Sequence, residues 1–508
     1  MAMPLCSSER RYRSQDGDSM TAKSYLVTVI TGTKRFADTR AEVNITIQGT
    51  LGSSPETQLS GEFETGSNRE FTFELADLGS LTSIDLRHDN AGTAPAWFVD
   101  KVVVQDTSTG STWVFPAGQW LSDTATHTFA GELLGSGEVV APTLWQGWVW
   151  GQNDHGELGD GTNKRRFAPS PMPYLDQVGV SAIDGGGWFS LALLNDGSVW
   201  SWGRNDWAQL GDGTKETRHA PVDVMHLARF GVKAIAAGGW TSLALLKDGT
   251  VWSWGANDWR QLGAGDTGFN AHTIPVKVEG LSGVTAVDIG GWHSLALRED
   301  GTVWSWGHGH QGQLGDGTNS DHNAAAVVPG LSGVKAVSAG YRHSLALLRD
   351  GTVWSWGYNA QGQLGDGTNT NRNTPVKVAS LGGRVKAIAA SSSNVFHDPS
   401  FSLALLEDGT VWSWGTNDWH QLGDGTNTSR NTPVKVSDLS GVKAIAPGGR
   451  HSLALLKDGT VWGWGANDHG QVGTGDGTPD RYAAPVKIEG ISHVKAIAAG
   501  GWHSIAAL

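Results

Sequence analysis

Between Val232 and Val278, apolar and polar residues alternate in short runs, each ended by a turn signal. Val232-Lys-Ala-Ile-Ala236 predicts one strand and Ser242-Leu-Ala-Leu-Leu246 the next. Lys247-Asp-Gly-Thr250 predicts a two-residue hairpin of type I′, with positive φ at both Asp248 and Gly249. Val251-Trp-Ser-Trp254 predicts a third strand, and Pro275-Val-Lys-Val278 a fourth whose Pro suits the start of an edge strand. Both faces of Leu-Ala-Leu-Leu are apolar, which places that strand between two neighbouring layers. Trp252 and Trp254, two residues apart, share one face of their strand. Seven such pairs use fourteen of the 25 Trp residues. They are expected to fill wedges between layers, each ring burying on the order of 200 Å².

The whole phrase returns. Its Trp-Gly marker falls at Trp150, Trp202, Trp254, Trp306, Trp356, Trp414 and Trp464, in steps of 52, 52, 52, 50, 58 and 50 residues. A period of this size means a propeller or a solenoid. The first copy opens midway, at Trp148-Val-Trp-Gly151, and the last stops midway, at Gly500-Gly-Trp-His-Ser-Ile-Ala-Ala-Leu508. Each holds the half that the other lacks. A solenoid needs polar caps at its ends. A ring whose final strands complete its first blade needs none and leaves no long open edge. A closed seven-bladed β-propeller is therefore expected.

Ahead of it, Tyr25-Leu-Val-Thr-Val-Ile30, Ala41 to Ile47, Arg69 to Leu75, Ser83 to Arg87 and Trp97 to Val104 alternate with a period of two. Clusters of Gly, Ser, Asn and Asp separate them, which reads as a β-sandwich. The fold class is thus all-β. The expected boundaries are a disordered leader at 1–22, the sandwich at 23–131, a Gly/Ser/Pro linker at 132–143 and the propeller at 144–508. Met20 is an alternative start.

Composition narrows the function. A net charge of -13 argues against a nucleic-acid surface, which needs a basic stripe to displace counterions. The single cysteine, Cys6, excludes an internal disulfide framework and any cysteine metal cluster. The 71 Gly residues recur in register with the repeat and so serve turns rather than disorder. No run approaches the roughly 20 apolar residues of a membrane span. No secretory h-region is visible, so the default expectation is a cytoplasmic monomer without cofactors.

Specific elements then point to families. Thr31-Gly32, Leu78-Gly-Ser-Leu-Thr-Ser-Ile84, His88-Asp-Asn90, Trp97-Phe-Val-Asp100, Trp113-Val-Phe-Pro116 and Trp120-Leu121 resemble the PLAT (LH2) domain family. The resemblance implies an eight-stranded sandwich that recruits its protein to lipid or to a protein partner, with calcium in some members. Thr33-Lys34-Arg35 and Asn68-Arg69-Glu70 stand where many members carry acidic residues. Asp38 and Asp89 alone do not supply the six to eight oxygens of a calcium site. Trp97 is assigned to the core rather than to membrane insertion.

Gly340-Tyr-Arg-His-Ser-Leu-Ala-Leu347 and Trp356-Gly-Tyr-Asn-Ala-Gln-Gly-Gln-Leu-Gly365 resemble the RCC1 repeat family, over about Trp145 to Leu508. That resemblance implies a protein-binding platform and, in one eukaryotic branch, a nucleotide-exchange factor for a small GTPase.

Apparent catalytic motifs dissolve on inspection. Neighbours in a strand point to opposite faces. The pairs His293-Ser294, His343-Ser344, His451-Ser452 and His503-Ser504 therefore cannot each form a dyad, and the His is expected to bond the next blade's backbone. Gly307-His-Gly-His-Gln-Gly312 matches a dinucleotide fingerprint but opens no helix. The Gly-Asp-Gly-Thr loops read as turns in which Asp caps its own backbone, rather than as calcium loops. No metal triad, paired carboxylates or activated nucleophile stands out.

What remains is variation over the repeat. Trp188, Trp240, Trp292, Tyr341, Arg450 and Trp502 precede the His-Ser position, and a propeller gathers such positions on one face. Their composition suits a hot-spot surface. The blade-five insert Ser391 to Phe401 adds Phe396 and His397 there. Trp207, Trp259 and Trp419 form a second set, expected on a separate face. The reading is a non-enzymatic scaffold that holds a protein partner on an aromatic face, with the sandwich docking to lipid or a second protein. The alternatives are a regulator acting by guanine-nucleotide exchange and a carbohydrate-binding propeller.

Overall fold

The computed structural model describes residues 22–31, 43–59, 68–88, 97–109, 111–121, 126–130, 132–135, 147–172, 179–227, 230–265, 268–392 and 400–508. Phe396, His397, Asp38, Asp89, the Thr33-Lys34-Arg35 stretch and the leader lie outside them, and so does the side chain of Trp97. The chain divides into two compact units, Met1–Leu144 and Trp145–Leu508.

The first unit is a sandwich of two five-stranded sheets. One runs in the order Glu132–Gly135, Thr112–Leu121, Trp97–Asp106, Ala22–Thr31, Asn68–Ala76. The other is built on Val43–Gly49 and Leu81–His88. Alternate residues point inward, as a two-layer fold requires: Tyr25, Val27, Val29, Ile45, Ile47, Val102, Val104 and Phe115 make one core. The residues expected to open the linker instead supply a strand. Glu132 and Leu133 pair with Val114 and Trp113, so the sandwich extends beyond residue 131.

The second unit is the expected ring of seven four-stranded blades. In the blade that begins at Val232, the strands Val232–Ala237, Thr241–Leu246, Val251–Gly255 and His272–Lys277 run from the centre outward. The closing blade joins the chain's two ends. His503–Ala507 pairs with Gly147–Gly151 in register, from Gly147 opposite Ala507 to Gly151 opposite His503. Ala496–Ala499 and Arg166–Pro171 flank this pair. The innermost strands of all seven blades line a central channel of about 310 Å³.

The core lies between blades. Leu191 and Leu193 of one blade pack with Ala244, Leu246 and Trp254 of the next. Every second Trp of a pair is fully buried. Each donates its indole N–H to a backbone carbonyl of the preceding blade: Trp254 to Gln209 at 2.9 Å, Trp306 to Gln261 at 2.9 Å. Trp150 donates to Gln471 at 3.0 Å, which completes the circle across the chain ends. The Gly of Gln-Leu-Gly makes room for the same ring. A Cβ on Gly263, where φ is +65°, would stand 2.7 Å from Trp306 Cδ1. The Trp-Gly and Gln-Leu-Gly motifs are therefore two halves of one inter-blade joint.

Two local expectations are corrected. The Asp-Gly hairpin is not type I′, because Gly249 has φ +78° while Asp248 does not enter the positive region. Leu246 N–H donates to Thr250 and Gly249 N–H to Leu246, which makes a three-residue loop ending in glycine. Asp248 accepts from Thr250 N–H at 2.9 Å and stabilises it. Pro275 lies inside the outer strand rather than at its start, since that strand begins at His272. The outer edge needs no further backbone donor there.

Glu157 stands where the six other joints have Gln, with its carboxyl buried. Burial pushes it up to about 7, against weaker opposition from the His155 N–H. A carboxyl raised from an ordinary 4.5 contributes stability below that value and loses it as pH rises through 7. Glu157→Gln is accordingly expected to stabilise the protein by on the order of 3 kcal/mol at pH 8 and by little at pH 4. Urea unfolding of both proteins at the two pH values checks this.

Candidate functional site

The four-stranded meander determines where loops can lie. Connections after the first and third strands emerge at one end of every blade, and the Asp-Gly hairpins emerge at the other. The loop after the first strand carries Trp188, Trp240, Trp292, Arg450 and Trp502. The loop after the third strand carries Trp207, Trp259 and Trp419. The two sets therefore share a face, contrary to the expectation of separate ones. Trp207 lies 6.5 Å from Trp240, and Trp259 lies 6.1 Å from Trp292, centroid to centroid.

The inner set is a supporting layer rather than an exposed ring. Trp188 packs on Trp240 at 4.7 Å and on Trp502 at 5.4 Å. Trp188 is only 7% exposed and Trp502 only 9%. Tyr341 is buried too, against Trp292 at 4.9 Å. Its position is also corrected. Tyr341 occupies the place of Gly291, and Arg342, next to His343, is the true counterpart of Trp292. In the outer set Trp207 is 40% exposed, while Trp259 and Trp419 are half-buried, as are Trp240 and Trp292 of the inner set.

Arginines that the sequence reading passed over are threaded through the rings. The Arg204 guanidinium sits 5.1 Å from the Trp240 ring and 5.6 Å from Trp188, and its Nε donates to Asp206 at 2.6 Å. Arg342 lies 5.3 Å from Trp292 and 5.1 Å from Tyr341. Trp419 is flanked by Arg450 at 4.6 Å and Arg481 at 4.8 Å. Arg260 lies 5.7 Å from Phe269, which is 58% exposed. Such contacts orient a long side chain over the ring face. Their signal was available: Arg204 follows the Trp-Gly marker, a position the seven copies fill with six different residue types.

The His-Ser contacts are real but cross between blades. His293 Nε2 lies 2.8 Å from Ser344 Oγ, and His343 Nε2 lies 2.9 Å from Ser402 Oγ. His451 pairs with Ser504 and His503 with Ser190, both at 2.9 Å. The partner is the next blade's hydroxyl and not its backbone. Each Ser donates its own proton to a carbonyl, Ser344 to Gln313 at 2.9 Å. The imidazole must then donate from Nε2, which leaves it nothing to accept from the Ser. Burial pushes all four imidazoles down to about 3. These are neutral structural bonds with no access for a substrate.

The Gly-Asp-Gly-Thr loops behave as expected. Asp212 Oδ1 accepts from Thr214 N–H at 2.9 Å, and Oδ2 takes Arg218 Nε at 2.8 Å. Both oxygens are occupied, so the loop offers no vacant calcium ligand. One ligand set that the spacing did not suggest is brought together: His308, His310 and Asp321, whose ligand atoms lie within 4.8 Å of one another. His308 also faces Trp259, at 4.5 Å between rings.

Comparison with known proteins follows this geometry. The RCC1-like domain matches residues 146–506, and the PLAT/LH2 domain matches residues 25–130. The Ultraviolet-B receptor UVR8 of Arabidopsis thaliana is 31% identical over 65% of this chain and 73% of that protein. The E3 ubiquitin-protein ligase HERC2 of Homo sapiens is 34% identical over 34% of this chain, a match spanning 4% of the ligase. Among solved structures, Prp20p of Saccharomyces cerevisiae is 27% identical, with a TM-score of 0.64 over 71% of this chain and 91% of that one. Among the described residues, no helix is long and apolar enough to cross a membrane.

Proposed function

The chain belongs to the RCC1-like family and carries a PLAT/LH2 domain ahead of its propeller, and from that premise we propose a non-enzymatic protein-recognition role for the face just described. The observation that carries this reading is a single face on which arginines lie over Trp240, Trp292 and Trp419 beside the exposed indole of Trp207. Trp, Tyr and Arg are the residues that dominate binding hot spots, because they bury large areas at low entropy cost. The supporting layer of Trp188, Trp240, Trp292, Tyr341 and Trp502 keeps the outer Trp207 and Trp259 preorganised, and Arg450 and Arg481 hold Trp419, which lowers the ordering cost of association. Prp20p is described as binding Gsp1p and histones. That supports a protein ligand for this chain without favouring a GTPase over any other. The PLAT/LH2 domain is proposed to address the protein to lipid or to a second protein, and Leu51, 66% exposed at a hairpin tip, is the apolar group best placed for it.

The test uses the full chain. Partners captured from an extract by the wild-type protein are compared with those held by Trp207→Ala/Trp419→Ala. Affinity for each is expected to fall at least tenfold, since a hot-spot truncation costs about 2 kcal/mol or more. Unchanged affinity with an unchanged unfolding curve would remove this face from consideration. Nucleotide-exchange and glycan-array assays on the same preparations separate the two alternatives.

A further inference from the structure

The seven copies provide an internal comparison, and the fourth departs from the other six at one loop. In six copies the residue three places after the marker Trp is an Asn: Asn153, Asn205, Asn257, Asn359, Asn417 and Asn467. This Asn ties its loop together. Asn205 Oδ1 accepts from Leu210 N–H at 3.0 Å, and its Nδ2 reaches Asp212 and Thr214. The fourth copy gives up that hub for Gly309 and flanks it with two histidines. A Cβ at Gly309 would meet the Ser320 carbonyl at 2.0 Å, so the loop has closed into the space the Asn fills elsewhere. The exchange replaces the Asn hub by two imidazoles that pack on Trp259 and on each other, His308 at 4.5 Å from Trp259 and 4.7 Å from His310.

We propose that His308, His310 and Asp321 bind a divalent transition-metal ion of the zinc, nickel or copper kind. Two imidazoles and a carboxylate are a donor set such ions favour, and they leave a coordination position open to water or to a partner's side chain. The ligand atoms lie within 4.8 Å of one another. Ligands at zinc distances stand roughly 3.4 Å apart, so a modest closure is required. His310 is exposed and free to supply it, and its Nε2 is already 3.7 Å from Asp321 Oδ1. The carboxylate is held in place by Gly309 N–H at 2.8 Å. His308 is buried against Trp259, which fixes the position of its ring.

Gln313 fixes which ring nitrogen of His308 carries the proton. The Gln313 amide donates to His308 Nδ1 at 2.7 Å, while its oxygen accepts from Gln311 N–H at 2.9 Å. Coordination through His308 Nε2 moves the ring proton to Nδ1, and the amide must then turn its oxygen toward the ring. A carboxylate there would accept that proton without rearrangement. The first copy already holds Glu157 at this place in the repeat, so the fold tolerates the exchange.

Calorimetric titration of the full chain with Zn²⁺, and partial quenching of the chain's Trp fluorescence by Cu²⁺ that His310→Ala abolishes, give two readouts independent of any partner. One ion is expected to bind at this loop. Affinity should fall at least about tenfold in His310→Ala and in Asp321→Asn, and rise in Gln313→Glu. His310 is exposed, so its loss leaves the fold intact. Absence of Zn²⁺ binding, or equal affinity in wild-type and His310→Ala proteins, would overturn the proposal.

Discussion

Deleting Gly501–Leu508 is expected to unfold the whole propeller rather than to fray one blade. His503–Ala507 is an interior strand of the closing blade, between Ala496–Ala499 and Gly147–Gly151. Its removal leaves both neighbours without a partner on that side. Ile505 belongs to the cluster on one side of the blade and Ala506 to the cluster on the other, so two inter-blade cores open together. The bonds from His451 to Ser504 and from His503 to Ser190 disappear with it. Burying an Ile is worth about 1.5–3 kcal/mol, and each lost ladder bond about 1 kcal/mol. The sum approaches the entire stability of a typical domain, about 5–15 kcal/mol. Urea titration followed by Trp fluorescence should lose the cooperative transition of the propeller and keep only that of the N-terminal sandwich. A truncated chain that unfolds at the wild-type midpoint would mean that the ring does not close through these strands.

Acid should unfold the protein abruptly between about pH 4 and pH 3. His293, His343, His451 and His503 are held near 3 against an ordinary 6.5, because burial excludes the charged ring. A depressed folded value means that the unfolded chain binds more protons, so stability is present above 6.5 and falls as pH drops toward 3. Four such groups give a slope of about 5 kcal/mol per pH unit. Above pH 4 that slope is masked. Burial raises Glu157 and Asp184 to about 7 and Asp223 and Asp288 to about 6, and these carboxyls take up protons preferentially in the folded state. Below their ordinary values of 3.8 to 4.5 they are protonated in both states, and the histidine slope is joined by that of hydrogen-bonded carboxylates such as Asp106 and Asp468, held down to about 2. Replacing His451 and His503 by Phe, as two other blades already have at Phe189 and Phe401, should halve the histidine part of the slope and move the acid midpoint downward. An unchanged midpoint would show that these rings are not buried as neutral groups.

Much of this was legible in the chain. Blade count and ring closure followed from the half-copies at Trp148 and Leu508, because a periodic sequence reports its own symmetry. The shared face of the two tryptophan sets was also within reach, since loops after the first and third strands of a meander must emerge at one end. The placement of Tyr341 failed for a simpler reason: one copy carries an extra aromatic in a glycine position, and spacing from the His resolves it.

Strand order, blade number and the inward Trp pairs follow from local alternation and a repeat length, properties a linear sequence contains in full. The His-Ser bonds, the burial of Trp188 and Trp502, the arginines between rings and the His308–His310–Asp321 cluster were settled only by the folded ring. Each depends on the angle and spacing at which one blade meets the next. That geometry arises from side chains some fifty residues or more apart packing together, as His293 meets Ser344 across 51 residues, and no local pattern encodes it.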